Sequence, residues 1–321
     1  MGILTLRRSL VALFAATVAF GAITVQADTV RIGYQKYGTL TLLKSSGALE
    51  KRLAEQGVEV KWTEFPAGPQ LLEGLNVGSV DFGTTGETPP VFAQAAGADL
   101  LYVAHEPPAP KGEAILVPKG SPITSVAELK GKKVALNKGS NVHYLLVRAL
   151  QEAGLAYSDI QPVYLPPADA RAAFERGSVD AWVIWDPFQG AAETQLGAKV
   201  LRDGENLVSN HQFYLAARPY ADAHPQVLAA LIDEIRKIGE WTQANPDEAT
   251  AQVAPILGLP TDITRLAVTR QAYGARPLTA DVTAAQQKIA DTFADLKLIP
   301  RRLNVSDVVW KAPASVATAQ P

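Results

Sequence analysis

The sequence predicts an α/β protein built as two similar βα lobes, and three observations carry that prediction. Short apolar runs alternate with amphipathic stretches, the rhythm of a largely parallel sheet crossed by helices. The tetrapeptide Gly78-Ser79-Val80-Asp81 returns as Gly177-Ser178-Val179-Asp180, each time after an amphipathic stretch and at the entry to an apolar run. The 321 residues are also enough for two ordinary cores.

The elements follow in order. Arg7 and Arg8, the apolar run 10–25 and the small-x-small triplet Val25-Gln26-Ala27 form a secretory signal over 1–27. The run is shorter than the ~20 residues of a spanning helix. Residues 29–34 (TVRIGY) read as a strand. Residues 42–56 read as one helix, with Leu42, Leu43, Leu49 and Leu53 largely on one face. A strand over 58–65, a short helix over 70–77 and a strand over 80–83 come next. A helix near 88–96 tolerates Pro89 and Pro90 in its first turn. Leu100–His105 and Glu113–Val117 read as buried strands. A second set then begins: strand 133–137, helix 141–153, strand 161–165, helix 168–176, strand 180–185 and helix Phe188–Leu196. After strand 211–217 the tail is mostly helical. Its clearest member spans 225–242, with Val227, Leu228, Leu231, Ile235 and Ile238 on one face. In both halves a Lys-x-Gly or Lys-Gly loop (Lys36 and Gly38, Lys138 and Gly139) precedes a Leu-Leu helix, so the loops of the two lobes face one cleft. Ligands of open α/β sheets bind at the carboxyl ends of strands.

Composition narrows the function. Without 1–27 the chain has 294 residues, with 28 Lys+Arg against 32 Asp+Glu, a formal charge of −4. That mild acidity gives no general attraction to nucleic acid or anionic lipid. There is no cysteine, and the single methionine is Met1, so the exported chain contains no sulfur. Disulfides, thiolate metal sites and cysteine nucleophiles are excluded. A sulfur-free protein fits one made in quantity when sulfur is scarce.

Three segments carry a family resemblance: WTEFPAGPQLLEGLNVGSVDFGTTGETPPVFAQAAGADL, SVAELKGKKVAL and PADARAAFERGSVDAWVIWDPF. With them the chain resembles the aliphatic sulfonate-binding proteins of ABC importers, from IGYQK at 32–36 to RRLNVSDVVW at 301–310. FPAGPQLLEGLNVGSVD with GETPP and WDPF is the specific part, whereas SVAELKGKKVA is common to many solute-binding proteins. The resemblance implies a type II periplasmic binding fold, with an interdomain cleft and two crossover hinges near Glu113–Val117 and Phe213–Ala217. One domain would comprise 28–115 plus 209–321 and the other 116–208. It implies a monomeric periplasmic receptor, not an enzyme, that hands a small organic sulfonate to a permease and its ATPase. No cofactor and no nucleic acid are expected.

A sulfonate is a permanent monoanion with three acceptor oxygens and an apolar tail. It needs converging donors, which helix N-termini supply. Three loops end at helix starts with small polar residues. The first offers Gln35, Gly38 and Thr39. In the second, GTTGET, Gly86 lets the backbone come close to a ligand, and Thr85 and Thr88 add hydroxyls. Glu87 there should face away, cap the helix or meet a cationic part of the ligand. The third loop offers Ser140 and the backbone N–H groups of Asn141 and Val142, although KGSN is also an ordinary capping sequence. In WVIWDPF, Trp182 reads as core and Trp185 as the apolar wall, and Asp186 caps the next helix or meets a ligand amine. Lys36 and Lys138 read as rim charges that speed capture.

The histidines His105, His143, His211 and His224 share no metal-ligand spacing, and no metal site is expected. No GxSxG elbow, phosphate loop or GxGxxG fingerprint occurs. Rival ligands stay open: taurine, nitrate, a sulfate ester or a thiamine precursor. A secreted enzyme on the same scaffold and a sensory or chaperone-like role are the rivals of other classes.

Overall fold

The computed structural model describes residues 28–317, so the signal expected over 1–27 lies outside the described residues. In the first lobe the chain forms β1 (Asp28–Tyr34), α1 (Gly38–Ser46), α2 (Ala48–Ala54), β2 (Val58–Glu64), α3 (Gly68–Asn76), β3 (Phe82–Thr85), α4 (Pro89–Ala95) and β4 (Leu100–His105). The second lobe holds β5 (Glu113–Val117), β6 (Lys133–Leu136), α5 (Asn141–Glu152), β7 (Gln161–Tyr164), α6 (Pro167–Glu175), β8 (Ala181–Trp185), α7 (Phe188–Leu196) and β9 (Lys199–Asp203). The chain returns to the first sheet with β10 (Phe213–Ala217). It ends in α8 (Arg218–Ala223), α9 (Pro225–Ala244), α10 (Pro246–Leu257), α11 (Thr261–Arg270), α12 (Ala280–Asp295) and α13 (Ala314–Ala317).

The two sheets share one topology, in the orders β2-β1-β3-β10-β4 and β7-β6-β8-β5-β9. In each, the leading strand pairs in parallel on both sides, and one antiparallel strand is inserted next to the edge. Strands β3, β4, β5 and β8 are buried along their whole length, which is why β4, β5 and β8 read as mostly apolar runs rather than alternating ones. The repeated tetrapeptide has the same job twice. Asp81 accepts the Arg31 N–H at 2.8 Å and returns its own N–H to the Arg31 carbonyl at 2.7 Å. Asp180 accepts the Lys133 N–H at 2.8 Å and donates back at 2.8 Å. Each aspartate thus fastens the turn to the leading strand of its sheet.

Three expectations need correction. The helix read over 42–56 begins earlier and breaks at Gly47, whose left-handed φ of +64° ends α1 and starts α2. Strand β9 was not legible because KVLRD is a half-exposed edge strand with little apolar signal. The crossovers lie just before the two strands near which they were expected. Glu113–Val117 is buried inside the second sheet and Phe213–Ala217 inside the first, so a boundary after 115 cuts through β5. The chain passes between sheets over 106–112 and 204–212. Pro107, Pro108 and Pro110 keep the first segment out of either sheet, since proline cannot donate to a ladder. The segments run side by side, held by Glu106 N–H to Gln212 O (2.9 Å), Ala109 N–H to Ser209 O (3.0 Å) and Gly204 N–H to Pro110 O (3.0 Å). Among the described residues no helix is long and apolar enough to cross a membrane.

Candidate functional site

Two helix starts, one from each lobe, open into the same cavity. After β1, Tyr37 stays extended and Gly38 takes a φ of +71°, a turn that suits glycine, so that α1 begins abruptly with no side-chain cap. After β6, Ser140 is extended and α5 begins at Asn141, again without a side-chain cap. The Ser140 hydroxyl donates to the Asn137 carbonyl at 2.7 Å instead. The first N–H groups of both helices have no intrahelical acceptor, and each N-terminus carries a partial positive charge.

The cavity is tight, about 30 Å³ in volume. Tyr37, Gly38, Thr41 and Leu42 line it from the first lobe, and Asn141, Trp185 and Asp186 from the second. Gly112, Asn210 and Gln212 come from the crossovers. Val253 and Leu257 of α10, Ala267 and Val268 of α11, and then Gln271 and Tyr273 close the remaining side. Asp186 is the only charged side chain in this lining; no Lys, Arg or His contributes.

Behind the lining stand three buried glutamates. Glu106 accepts the hydroxyls of Thr39 (2.5 Å) and Tyr214 (2.8 Å) and the Gln271 amide (3.3 Å). Glu113 accepts the Asn141 amide, which also reaches Asn210 Oδ1 at 3.1 Å. Glu87 accepts the His211 backbone N–H at 3.1 Å. Burial without a cationic partner pushes Glu87 and Glu106 up to about 7 and Glu113 well above the usual carboxylate range, with the charge of Glu87 adding to the last. Asp186 is pushed up to about 6 by burial, partly offset by Arg270.

These shifts give a stability prediction. The folded state holds the Glu87 proton to about pH 7, whereas the unfolded chain releases it near 4.5. The folded state therefore binds more protons in that window. The contribution of Glu87 is complete below 4.5, is lost as pH rises through 7, and stays lost above. Glu87→Gln should accordingly gain about 2–3 kcal/mol over the wild type between pH 4.5 and pH 8, read from denaturant unfolding at the two pH values.

Of the expected site residues, Gly38, Asn141, Trp185 and Asp186 line the cavity. Trp182 is fully buried core, and Asp186 Oδ1 accepts the Gly190 N–H in the first turn of α7 at 2.9 Å. Gln35, Thr39, Thr85, Gly86, Glu87, Thr88, Ser140 and Val142 are not in the lining. The Gln35 amide donates to Thr84 O (3.2 Å) and the Thr85 hydroxyl to Gly86 O (3.0 Å), and Thr88 and Val142 are fully buried. Gly86 admits the other lobe: a Cβ there would stand 2.8 Å from Asn141 Cγ. Lys36 is exposed beside Glu64, and Lys138 is exposed over the Tyr164 ring, both away from the lining. Sequence reasoning missed Tyr37, Thr41, the crossover residues and the whole α10–α11 wall. An amphipathic helix that faces a cavity carries the same pattern as one that faces core.

Comparison with known proteins points in one direction. The family model described as "NMT1/THI5 like" matches residues 53–249. A relative from Escherichia coli (strain K12), which carries the provisional name of an aliphatic sulfonates-binding protein, is 48% identical over 286 residues, covering 88% of this chain and 89% of that protein. The alkanesulfonate-binding protein SsuA from Xanthomonas axonopodis pv. citri, solved bound to MOPS, superimposes with a TM-score of 0.85 at 44% identity, covering 88% of this chain and 98% of that one. The desulfurization enzyme DszB, in complex with biphenyl-2-sulfinic acid, shares the fold alone, at 19% identity and a TM-score of 0.66, covering 91% of this chain and 99% of that one.

Proposed function

The chain belongs to the NMT1/THI5-like family, and from that membership we propose that it is an exported receptor that captures an aliphatic sulfonate between its lobes and delivers it to an ABC importer. The observation that carries the proposal is the pair of uncapped helix N-termini, from opposite lobes, opening into a cavity with no cationic side chain in its lining. N–H groups at Gly38 and Asn141, the helix-start residues that line the cavity, would hold the sulfonate oxygens. Each N-terminus is worth about 0.3–2 kcal/mol toward an anion, more as water is excluded. Trp185, Leu42, Val253, Leu257 and Val268 provide the apolar wall for the tail, at about 0.8 kcal/mol per buried methylene. The tail wall favours an organic sulfonate over nitrate or sulfate, and the sulfur-free exported chain fits a protein that scavenges sulfur. We assign the chain to the periplasm, with a permease and its ATPase as partners and no chemical step of its own.

Calorimetric titration of the mature protein with C1 to C8 alkanesulfonates, MOPS, taurine, nitrate and sulfate tests the reading. Affinity should rise with tail length until the wall is filled. Preference for nitrate or sulfate over every sulfonate would refute it, and so would a ligand returned chemically altered. The titration should also show proton uptake. The sulfonate group does not titrate in this range, so the pH dependence belongs to Glu106, at about 7, which has no guanidinium beside it. As it ionises it repels the anion. Binding should weaken about 3- to 10-fold per pH unit between 6 and 8, and its heat should vary with the ionisation enthalpy of the buffer.

A further inference from the structure

We infer that Arg270 is a latch that couples lobe closure to retention of the anion by compensating the charge of Asp186. The inference rests on the receptor reading above and concerns how that site holds and releases its ligand.

Helices α10 and α11 are seated on the first lobe. Ala249, Val253, Val268 and Tyr273 form a small apolar cluster with Leu42 of α1. The end of α11 reaches across to the second lobe. Arg270 grips Glu193 of α7 fork to fork, Nη1 to Oε1 at 3.0 Å and Nη2 to Oε2 at 2.9 Å. Nη1 also stands 3.5 Å from Asp186 Oδ2. One turn earlier, Leu266 packs over Gly190, where an added Cβ would meet Leu266 Cδ1 at 3.3 Å, so the lack of a side chain lets the helices approach. The clamp is largely shielded: the Arg270 and Glu193 side chains are 21% and 23% exposed. A bidentate pair this shielded is worth more than an ordinary surface ion pair.

The second carboxylate sets this clamp apart from a simple brace. Asp186 is the charged member of the cavity lining, and its other oxygen is committed to the Gly190 N–H. With the lobes together, the guanidinium offsets the Asp186 charge beside the bound anion. Because Arg270 travels with the first lobe and Asp186 with the second, opening withdraws the compensation. The uncovered carboxylate then repels the anion from the chamber it lines. One residue therefore favours retention when closed and release when open. Glu106 and Glu113, the other carboxyls near the chamber, have hydroxyl or amide partners and no guanidinium.

The test uses the mature chain with ethanesulfonate as probe, comparing the wild type with Arg270→Gln, Glu193→Gln, Asp186→Asn and the Arg270→Gln/Asp186→Asn pair. Arg270→Gln should bind about 10- to 100-fold more weakly, mostly through faster release in stopped-flow displacement. Glu193→Gln should release about 3- to 10-fold faster. Adding Asp186→Asn to Arg270→Gln should restore affinity to within about 3-fold of Asp186→Asn alone. A double variant as weak as Arg270→Gln would overturn the compensation. A double-mutant cycle between Arg270 and Glu193 on the thermal unfolding of the ethanesulfonate-saturated protein should show coupling, and strict additivity there would overturn the clamp. A wild type that binds no sulfonate would instead refute the receptor reading.

Discussion

Asn141→Asp should abolish sulfonate binding, with a loss of at least about 100-fold, and should destabilise the protein by about 3 kcal/mol. Asn141 is 6% exposed, and its amide donates to Glu113 and to Asn210 Oδ1. The substitution replaces that donor with an acceptor and sets a second carboxyl against Glu113, itself fully buried. The N-terminus of α5 offsets about 0.3–1 kcal/mol of this, which is less than the cost of an unpaired buried charge. The same carboxyl would stand where the proposed ligand places its oxygens, so affinity and stability fall for one electrostatic reason. Asn141→Ala separates the contributions, because it removes the hydrogen bonds without adding charge. It should cost about 10-fold in affinity. Titration with ethanesulfonate, alongside denaturant unfolding, reads both effects. Wild-type affinity in Asn141→Asp would mean the anion does not enter this cavity.

Much of the fold was legible because its strands are buried on both faces. AWVIW at β8 and AILV within β5 are apolar runs that admit few other readings, and the repeated Gly-Ser-Val-Asp turn exposed the shared topology of the lobes. What failed was whatever depends on long-range pairing. Strand β9 exists because β5 offers it an edge, and KVLRD alone gives no such signal. The crossovers could be read only to their neighbourhood, because a buried strand and the segment entering it share one run of chain. Of the residues local logic nominated, the helix starts at Gly38 and Asn141 and Trp185 line the cavity. Local logic also nominated Gln35, Thr39 and Ser140, whose polar atoms are already spent on Thr84, Glu106 and Asn137. A sequence displays donors without showing which of them folding has already satisfied. The α10–α11 wall lies about 70 to 80 residues from Trp185 in the chain, and its apolar face reads as ordinary core.

Gly86 joins these two lessons. The expected reason for a glycine in GTTGET was close approach of a ligand, whereas the neighbour it admits is Asn141 of the opposite lobe. A Cβ at Gly86 would fall 2.8 Å from Asn141 Cγ, 2.8 Å from Oδ1 and 2.9 Å from Cβ, closer than real Cβ atoms stand. Asn141 cannot step aside cheaply, since its amide is fixed by Glu113 and Asn210. Gly86→Ala should therefore penalise the closed arrangement of the lobes more than the lobes themselves. The expected result is a loss of about 10- to 100-fold in sulfonate affinity, with a change of less than about 1 kcal/mol in unfolding of the free protein. The rise in Tm on adding saturating ligand should shrink in proportion. Truncating the obstacle supplies the control: in an Asn141→Ala background the added methyl has room, so Gly86→Ala should cost little further affinity. If the two losses instead simply add, the contact between Gly86 and Asn141 does not limit closure. The binding energy would then have to be sought within one lobe rather than across the gap that closure removes.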